Sequence, residues 1–154
     1  MRREDLTLTV DDAEAESDRP DGPTLVIEFD GPAETAAGRL EGVEGDPLDA
    51  DQIDVSFRFT TAVDAEDTAG VLGVTDRVTG DFLLEVNADA DDVLSFVRTA
   101  RRREEREEGD GQYTVAVVAS DDAVATYEKA TFLVYNRDGD LLREKSLIPG
   151  GVEL

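Results

Sequence analysis

The chain has 154 residues, 40% of them hydrophobic, and carries 38 acidic against 15 basic side chains, for a net charge of -23. It contains no cysteine and no histidine, which excludes disulfides, thiol nucleophiles, cysteine-ligated metals and the histidine-dependent catalytic dyads and triads. The length is sufficient for one hydrophobic core and the composition does not demand two, so we expect a single domain over residues 1–154.

The charge balance is the most unusual property of the composition. A net charge of -23 opposes compaction in dilute salt, whereas at about 1 M salt the screening length falls to ~3 Å and most of that repulsion disappears. The two lysines are Lys129 and Lys145, and the other basic residues are arginines. An acidic surface poor in lysine predicts a halophilic protein that needs high potassium salt for stability. The alternatives are an ordinary acidic protein and a nucleic-acid mimic.

The chain shows no signal for export or for membrane insertion. Its first ten residues, MRREDLTLTV, lack the apolar run of a signal peptide, and no window reaches the ~18 apolar residues of a membrane span. We therefore expect a soluble cytoplasmic protein. The net negative charge would repel nucleic acid from most of the molecule, so no nucleic-acid partner is expected.

Alternating apolar residues predict strands in the first half of the chain. They occur at 6–10, at 25–29 and, most clearly, at 53–59. Between the first two, residues 11–23 have the charge and the proline and glycine content of an acidic loop or linker. A weaker helical pattern covers residues 33–40, where the interior glycine lowers the helix propensity.

A hairpin is predicted near the middle of the chain. Residues 71–78 and 82–86 flank Thr79-Gly80, a spacing typical of a tight two-residue turn. Phe82, Leu84 and Val86 recur at every second position, which predicts a strand for the second segment.

One long amphipathic helix is predicted to follow directly, over about 89–108. Asp89 can cap the first free amides. Val93, Phe96, Val97 and Ala100 recur at helical spacing, so one face of the helix must be covered by apolar side chains.

Strands dominate again after the helix. The patterns predict a strand at 113–119, one or two strands over 124–135, and a final hairpin strand over 141–148. Because hairpins predominate, we expect an α+β fold, a mainly antiparallel sheet of about six to nine strands with the one long helix packed on it. A short extended tail follows at 149–154.

No residue pattern commits the chain to a reaction. With 38 acids, carboxylate pairs arise by chance and carry no signal without geometry. The runs 87–91 and 136–140 have the spacing of a calcium loop but lack its glycine and its closing glutamate. We interpret the first as a helix cap and the second as a hairpin turn. No catalytic residue, cofactor or metal site is predicted.

Two features are candidate contacts for a protein partner. One is a group of arginines near the end of the predicted helix, for which the alternative is pairing with the helix dipole and with neighbouring glutamates. The other is the apolar C-terminal tail, for which the alternative is folding back onto the core. The residues concerned are Arg98, Arg101, Arg102, Arg103, Arg106, Val152 and Leu154.

The chain resembles a family of short acidic haloarchaeal proteins classed as a domain of unknown function. The resemblance is carried by MRREDLTLTV, VTDRVTGDFLLEVNADADDVLSFVR and TYEKATFLVYNRDGDLLREKSLIPGGVEL. It implies a halophilic origin and brings no catalytic or binding residue. The hypothesis is a small non-enzymatic protein that binds or regulates another protein. The alternative is a carboxylate- or divalent-metal-dependent enzyme whose acids converge in the fold. The partner and the oligomeric state stay open.

Overall fold

We describe the fold from a computed structural model. It describes residues 5–11, 23–42, 45–63, 66, 68–106, 113–120 and 122–147, with the backbone alone at 11 and from 101 to 106. Within these ranges the chain forms eight strands and two α-helices. In chain order they are β1 (Leu6–Asp11), β2 (Thr24–Phe29), α1 (Ala33–Arg39), β3 (Ile53–Phe59), β4 (Ala69–Asp76), β5 (Phe82–Asp89), α2 (Ala90–Arg106), β6 (Tyr113–Ala119), β7 (Asp122–Lys129) and β8 (Leu133–Tyr135).

The strands form two four-stranded sheets, each of mixed direction. The first sheet has the order β1-β2-β6-β7, and the second has the order β5-β4-β3-β8. Hairpin partners are antiparallel, but β2 runs parallel to β6 and β3 runs parallel to β8. The α+β class and the strand number are therefore confirmed, whereas a mainly antiparallel single sheet is not. Each parallel pair joins strands that are distant in sequence, which hairpin patterns do not reveal.

The core lies between the inner faces of the two sheets and is closed by the helices. β2, β3 and β6 each bury every second residue, as the alternation predicted for half-covered strands. Apolar residues from all eight strands and both helices belong to one cluster. Leu25, Phe57 and Tyr113 are among its fully buried members.

Helix α2 confirms the long helix predicted from sequence. The Asp91 amide donates to Asp89 Oδ1 at 2.9 Å, so the last residue of β5 caps the helix. The four residues of the predicted apolar stripe, Val93, Phe96, Val97 and Ala100, are at most 2% exposed. The helix runs as far as Arg106, and residues 107 and 108 lie outside the described part of the chain.

Helix α1 is a second helix among the described residues, so a single helix is not confirmed. It matches the weaker pattern predicted over 33–40 and contacts β6 and β7 through its buried face. Ala36 and Leu40 are buried on that side. Arg39 Nε donates to the Leu83 carbonyl at 3.1 Å, which links the end of the helix to the second sheet. Tertiary contacts therefore stabilise a helix that is weak by propensity.

The predicted final hairpin strand over 141–148 is wrong. In the described part of this segment, up to Leu147, the chain forms two isolated bridges and a short 3-10 turn at Arg143–Lys145. The Ser146 hydroxyl accepts the Val134 amide at 2.9 Å and donates to the Leu142 carbonyl at 2.8 Å. Hydrogen bonds of the Ser146 side chain thus take the place of regular backbone hydrogen bonds between strands beside β8.

Candidate functional site

The hairpin formed by β4 and β5 carries the two most exposed large apolar side chains among the described residues. Val78 is 83% exposed and Phe82 is 56% exposed. The Val78 and Thr79 amides donate to Asp76 Oδ1 at 2.9 and 3.2 Å, and the Gly80 amide donates to the Asp76 carbonyl at 2.8 Å. The connection spans residues 77–81, so the predicted two-residue turn is wrong. The Asp76 side chain organises the longer one.

Phe82 lies on the outer face of the second sheet, whereas Leu84 and Val86, with which it alternates in sequence, are buried. The pairing of β4 with β5 shifts between Val74 and Thr75, so that Val74 faces Leu84 while Thr75 faces Phe82. The extra residue, Leu83, reverses the side to which Phe82 points. A Cβ added to Gly73 would lie 3.2 Å from the Phe82 ring, so the ring leans over this glycine.

The outer face of the second sheet contains a shallow hollow of about 140 Å³. Gly73 lies at its centre and contributes no side chain, while Val71 beside it is 8% exposed although it points away from the core. Tyr135 at the edge strand is half-buried. The hollow is lined by Ser56, Arg58, Val71, Gly73, Phe82, Glu85 and Tyr135. Aromatic rings around a small apolar floor are typical of a surface that binds protein.

The charges on this face are more nearly balanced than those of the whole chain, which carries -23. Asp54, Glu85 and Asp89 supply negative charges, because Asp89 lies on the same side of β5 as Glu85. Arg58 and Arg77 supply two positive ones. Arg77 binds Asp54 through an ion pair of 2.8 Å. Neither Arg58 nor Glu85 forms an ion pair with any residue that the structure describes. Among the described residues, Arg58 and Glu85 therefore leave one unpaired charge of each sign on this face.

Lys129 holds the two sheets together. Its Nζ donates to the carbonyls of Ala50 and Ile53 at 2.7 and 2.8 Å, so an amine from β7 joins the start of β3. Burial lowers the pKa of Lys129, and the nearby Arg77 lowers it further. Because both contacts are to backbone carbonyls, the arrangement is that of a structural tie.

The tyrosines Tyr113 and Tyr127 are also part of the core. The Tyr113 hydroxyl donates to the Thr131 carbonyl at 2.6 Å. Burial raises the pKa of Tyr113 well above its usual value, with a further contribution from Asp54, and burial also raises the pKa of Tyr127. Both tyrosines therefore serve as packed, protonated side chains.

Two other hollows open on the second sheet and its turns. The hollow of about 490 Å³ near the start of α2 is lined in part by Glu66, Asp89 and Asp91. Over the described residues, no three acidic side chains converge closely enough to hold a metal ion. The hollow of about 450 Å³ beside the turn is lined in part by Leu48 and Val78. Val78 thus belongs to a different surface from Phe82.

Most of the candidate contacts predicted from sequence have side chains outside the described part of the structure. Arg98 is exposed on α2. The backbone of Arg101, Arg102, Arg103 and Arg106 continues this helix, and their side chains lie outside the description. The C-terminal contacts, Val152 and Leu154, also lie outside it, as does most of the predicted linker at 11–23. Arg98 does not line the hollow on the outer face of the second sheet.

The two runs that resemble calcium loops have the roles interpreted from sequence. Asp89 caps α2 through its bond to the Asp91 amide. Asn136 Oδ1 accepts the amides of Asp138 and Asp140, both at 2.9 Å, and so closes a turn between β8 and Leu141. These oxygens already accept backbone amides.

Comparison with known proteins identifies a family but no activity. A model described as a family of unknown function, DUF5793, matches residues 1–154, so the chain belongs to that family. No curated protein and no solved structure shows a significant match. No helix in the described part of the chain is long and apolar enough to cross a membrane.

Proposed function

We propose that this protein is a non-enzymatic protein-binding or regulatory module that binds through the outer face of the second sheet. The observation that carries the proposal is the exposure of Phe82, 56% of which is in solvent on a face that carries both acidic and basic side chains. An aromatic side chain beside a small hollow supplies large contact area at low entropic cost. Arg58 and Glu85 supply polar groups at the rim of the same hollow.

Replacement of Phe82 tests this proposal. Tagged wild-type protein is incubated with host lysate in concentrated potassium chloride. We expect it to retain a bound protein at a fixed stoichiometry, and a second copy of the chain counts as such a protein. Phe82→Asp should lose it, because the change places a charge where an aromatic ring is buried on binding. The retained protein is measured by quantitative mass spectrometry.

Val78→Asp is the matched control, because it adds the same charge to the other exposed apolar side chain of the hairpin. It should retain the bound protein. If Phe82→Asp retains that protein as well as wild type does, or if wild type binds nothing, the outer face is not a binding surface. Loss with Val78→Asp alone would assign binding to the hollow beside Leu48.

The arginine group and the C-terminal tail are additional proposed contacts. Replacing Arg98, an exposed residue of the group, with Glu tests the helix surface. A chain ending at Pro149 removes Val152 and Leu154 and tests the tail. A bound protein that survives Phe82→Asp but is lost with one of these variants would locate the contact there.

We further propose a halophilic protein that works in a cytoplasm of concentrated potassium salt. The support is the net charge of -23 with two lysines among 15 basic residues. Between about 0.1 and 1 M potassium chloride the screening length falls from ~10 to ~3 Å, so repulsion among the acids weakens. We expect the free energy of unfolding to rise by about 3 kcal/mol or more over this range, roughly 10 °C in Tm.

Denaturant titrations at fixed protein concentration measure this dependence on salt. The rise should continue beyond the concentration at which an ordinary acidic domain levels off. A free energy of unfolding that is already maximal near 0.1 M would contradict a halophilic protein and favour the ordinary acidic alternative.

A further inference from the structure

We propose that the outer face of the second sheet binds a second copy of this chain, as a two-fold symmetric dimer. This inference rests on the proposed function, because it names the partner of the same face. A symmetric dimer requires a surface that complements itself, so that each group meets its counterpart twice. The outer face has this property in its charges and in its aromatic rings.

The charges give the first complementary pair. Arg58 lies opposite Val71 across β3 and β4, and Glu85 lies opposite Gly73 across β5 and β4. With strands about 4.8 Å apart and two residues spanning about 6.8 Å, the Cα atoms of Arg58 and Glu85 are about 12 Å apart. Their midpoint lies on β4 between Val71 and Gly73. A two-fold axis in the plane of the face, through that midpoint and perpendicular to the line between the two Cα atoms, places Arg58 of each copy over Glu85 of the other.

The aromatic rings give the second pair under the same rotation. Tyr135 lies opposite Arg58 on the edge strand β8. Phe82 lies opposite Thr75 on β5, the strand at the other edge of the same sheet. On ideal strand spacing, the axis that exchanges the two charges carries Tyr135 to within about 3 Å of the Phe82 position of the other copy. One rotation therefore satisfies both pairs. Gly73 lies at the centre, where its missing side chain allows two sheets to approach.

The charge of the whole chain favours this face over others. Two copies of -23 repel each other across most orientations, but the outer face carries Arg58 and Arg77 beside Asp54, Glu85 and Asp89, so its local charge is close to neutral. The long-range repulsion that opposes association weakens as salt rises, whereas pairs shielded from water in the contact are screened less. The dimer should therefore become tighter as potassium chloride is raised.

Charge exchange tests the geometry. Analytical ultracentrifugation of the full chain at about 1 M potassium chloride, where the screening length is ~3 Å, is expected to show a dimer. Arg58→Glu leaves acids at both positions and Glu85→Arg leaves bases at both, so each variant alone should weaken the dimer by about tenfold or more. An equimolar mixture of the two should restore it, because each acid then faces a base.

Several results would overturn the inference: wild type monomeric at every salt concentration, single variants as dimeric as wild type, or a mixture that stays monomeric. Circular dichroism shows whether each variant is folded. If Glu85→Arg does not fold, Phe82→Asp replaces it and should be monomeric, while Val78→Asp should remain dimeric. A monomeric wild type that still captures a different protein through Phe82 would refute self-association and leave the binding function standing.

Discussion

A Phe96→Asp variant is expected to be unfolded under conditions in which the wild-type chain is fully folded. Phe96 has no exposed surface and contacts two other rings edge-on, with centroid distances of 5.1 Å to Tyr113 and 5.4 Å to Phe132. Removing a buried phenylalanine side chain costs about 3–5 kcal/mol, and burying a carboxylate without a partner costs more. The sum approaches or exceeds the ~5–15 kcal/mol by which a domain is stable.

Circular dichroism and urea titration in concentrated potassium chloride measure this effect. Val78→Asp adds the same charge to a side chain that is 83% exposed and should change the free energy of unfolding by less than about 0.5 kcal/mol. Phe96→Leu, which keeps an apolar side chain, should lie between the two. An unchanged Tm for Phe96→Asp would show that α2 does not pack on the core as described.

Helix α2 is the element that the sequence predicts best, because its signals are local. The stripe from Val93 to Ala100 follows the helical period, and the cap at Asp89 lies directly before it. Both signals fall within three turns of chain and need no distant partner. The same reason explains the success at β3, where the alternation from Ile53 to Phe59 fixes the buried face.

The order of strands in each sheet depends on pairing between distant segments, which local sequence patterns do not predict. β2 pairs with β6 and β3 pairs with β8, across long stretches of chain. An alternating pattern specifies which side of a strand is buried but not its neighbour or its direction. The prediction of a mainly antiparallel sheet extended the hairpin pattern to strands that no hairpin joins.

Phe82 shows how one extra residue in a strand prevents an exposed side chain from being recognised in the sequence. Its spacing from Leu84 and Val86 indicates a buried side chain, and the bulge at Leu83 turns it to solvent instead. The sequence does contain a partial signal, since the glycine at position 73 leaves room on the opposite strand for a ring to lie across it. Unless the register between β4 and β5 is known, the sequence does not show which side chain lies across Gly73.

Lys129 was distinguishable in the sequence only by its rarity, as one of two lysines. Its burial depends on the approach of Ala50 and Ile53, residues that precede it by more than 70 positions. A lysine in an alternating strand is ordinarily a solvent-exposed residue. The structure instead uses it to satisfy two carbonyls where the sheets meet.

The second large effect is expected at Gly70, where Gly70→Ala should strongly destabilise the fold. Gly70 is paired with Phe59, and an added Cβ would overlap the Arg58 carbonyl oxygen and approach Phe57 Cε1 at 2.8 Å. The carbonyl belongs to the backbone of β3 and cannot move without disturbing its pairing with β4. Overpacking of this kind costs typically ~1–3 kcal/mol and occasionally more, and we expect the upper end here.

Gly38→Ala is the matched control, because no atom lies within 4 Å of the added Cβ and the residue is inside α1. It should stabilise the protein by about 0.5–1 kcal/mol, since alanine is the better helix former. Urea titration of both variants measures the difference. A Gly70→Ala variant as stable as wild type would mean that β3 and β4 are not packed as closely as described. The alignment of Arg58, Val71 and Glu85 depends on that packing, so this result would also remove the geometric basis of the dimer.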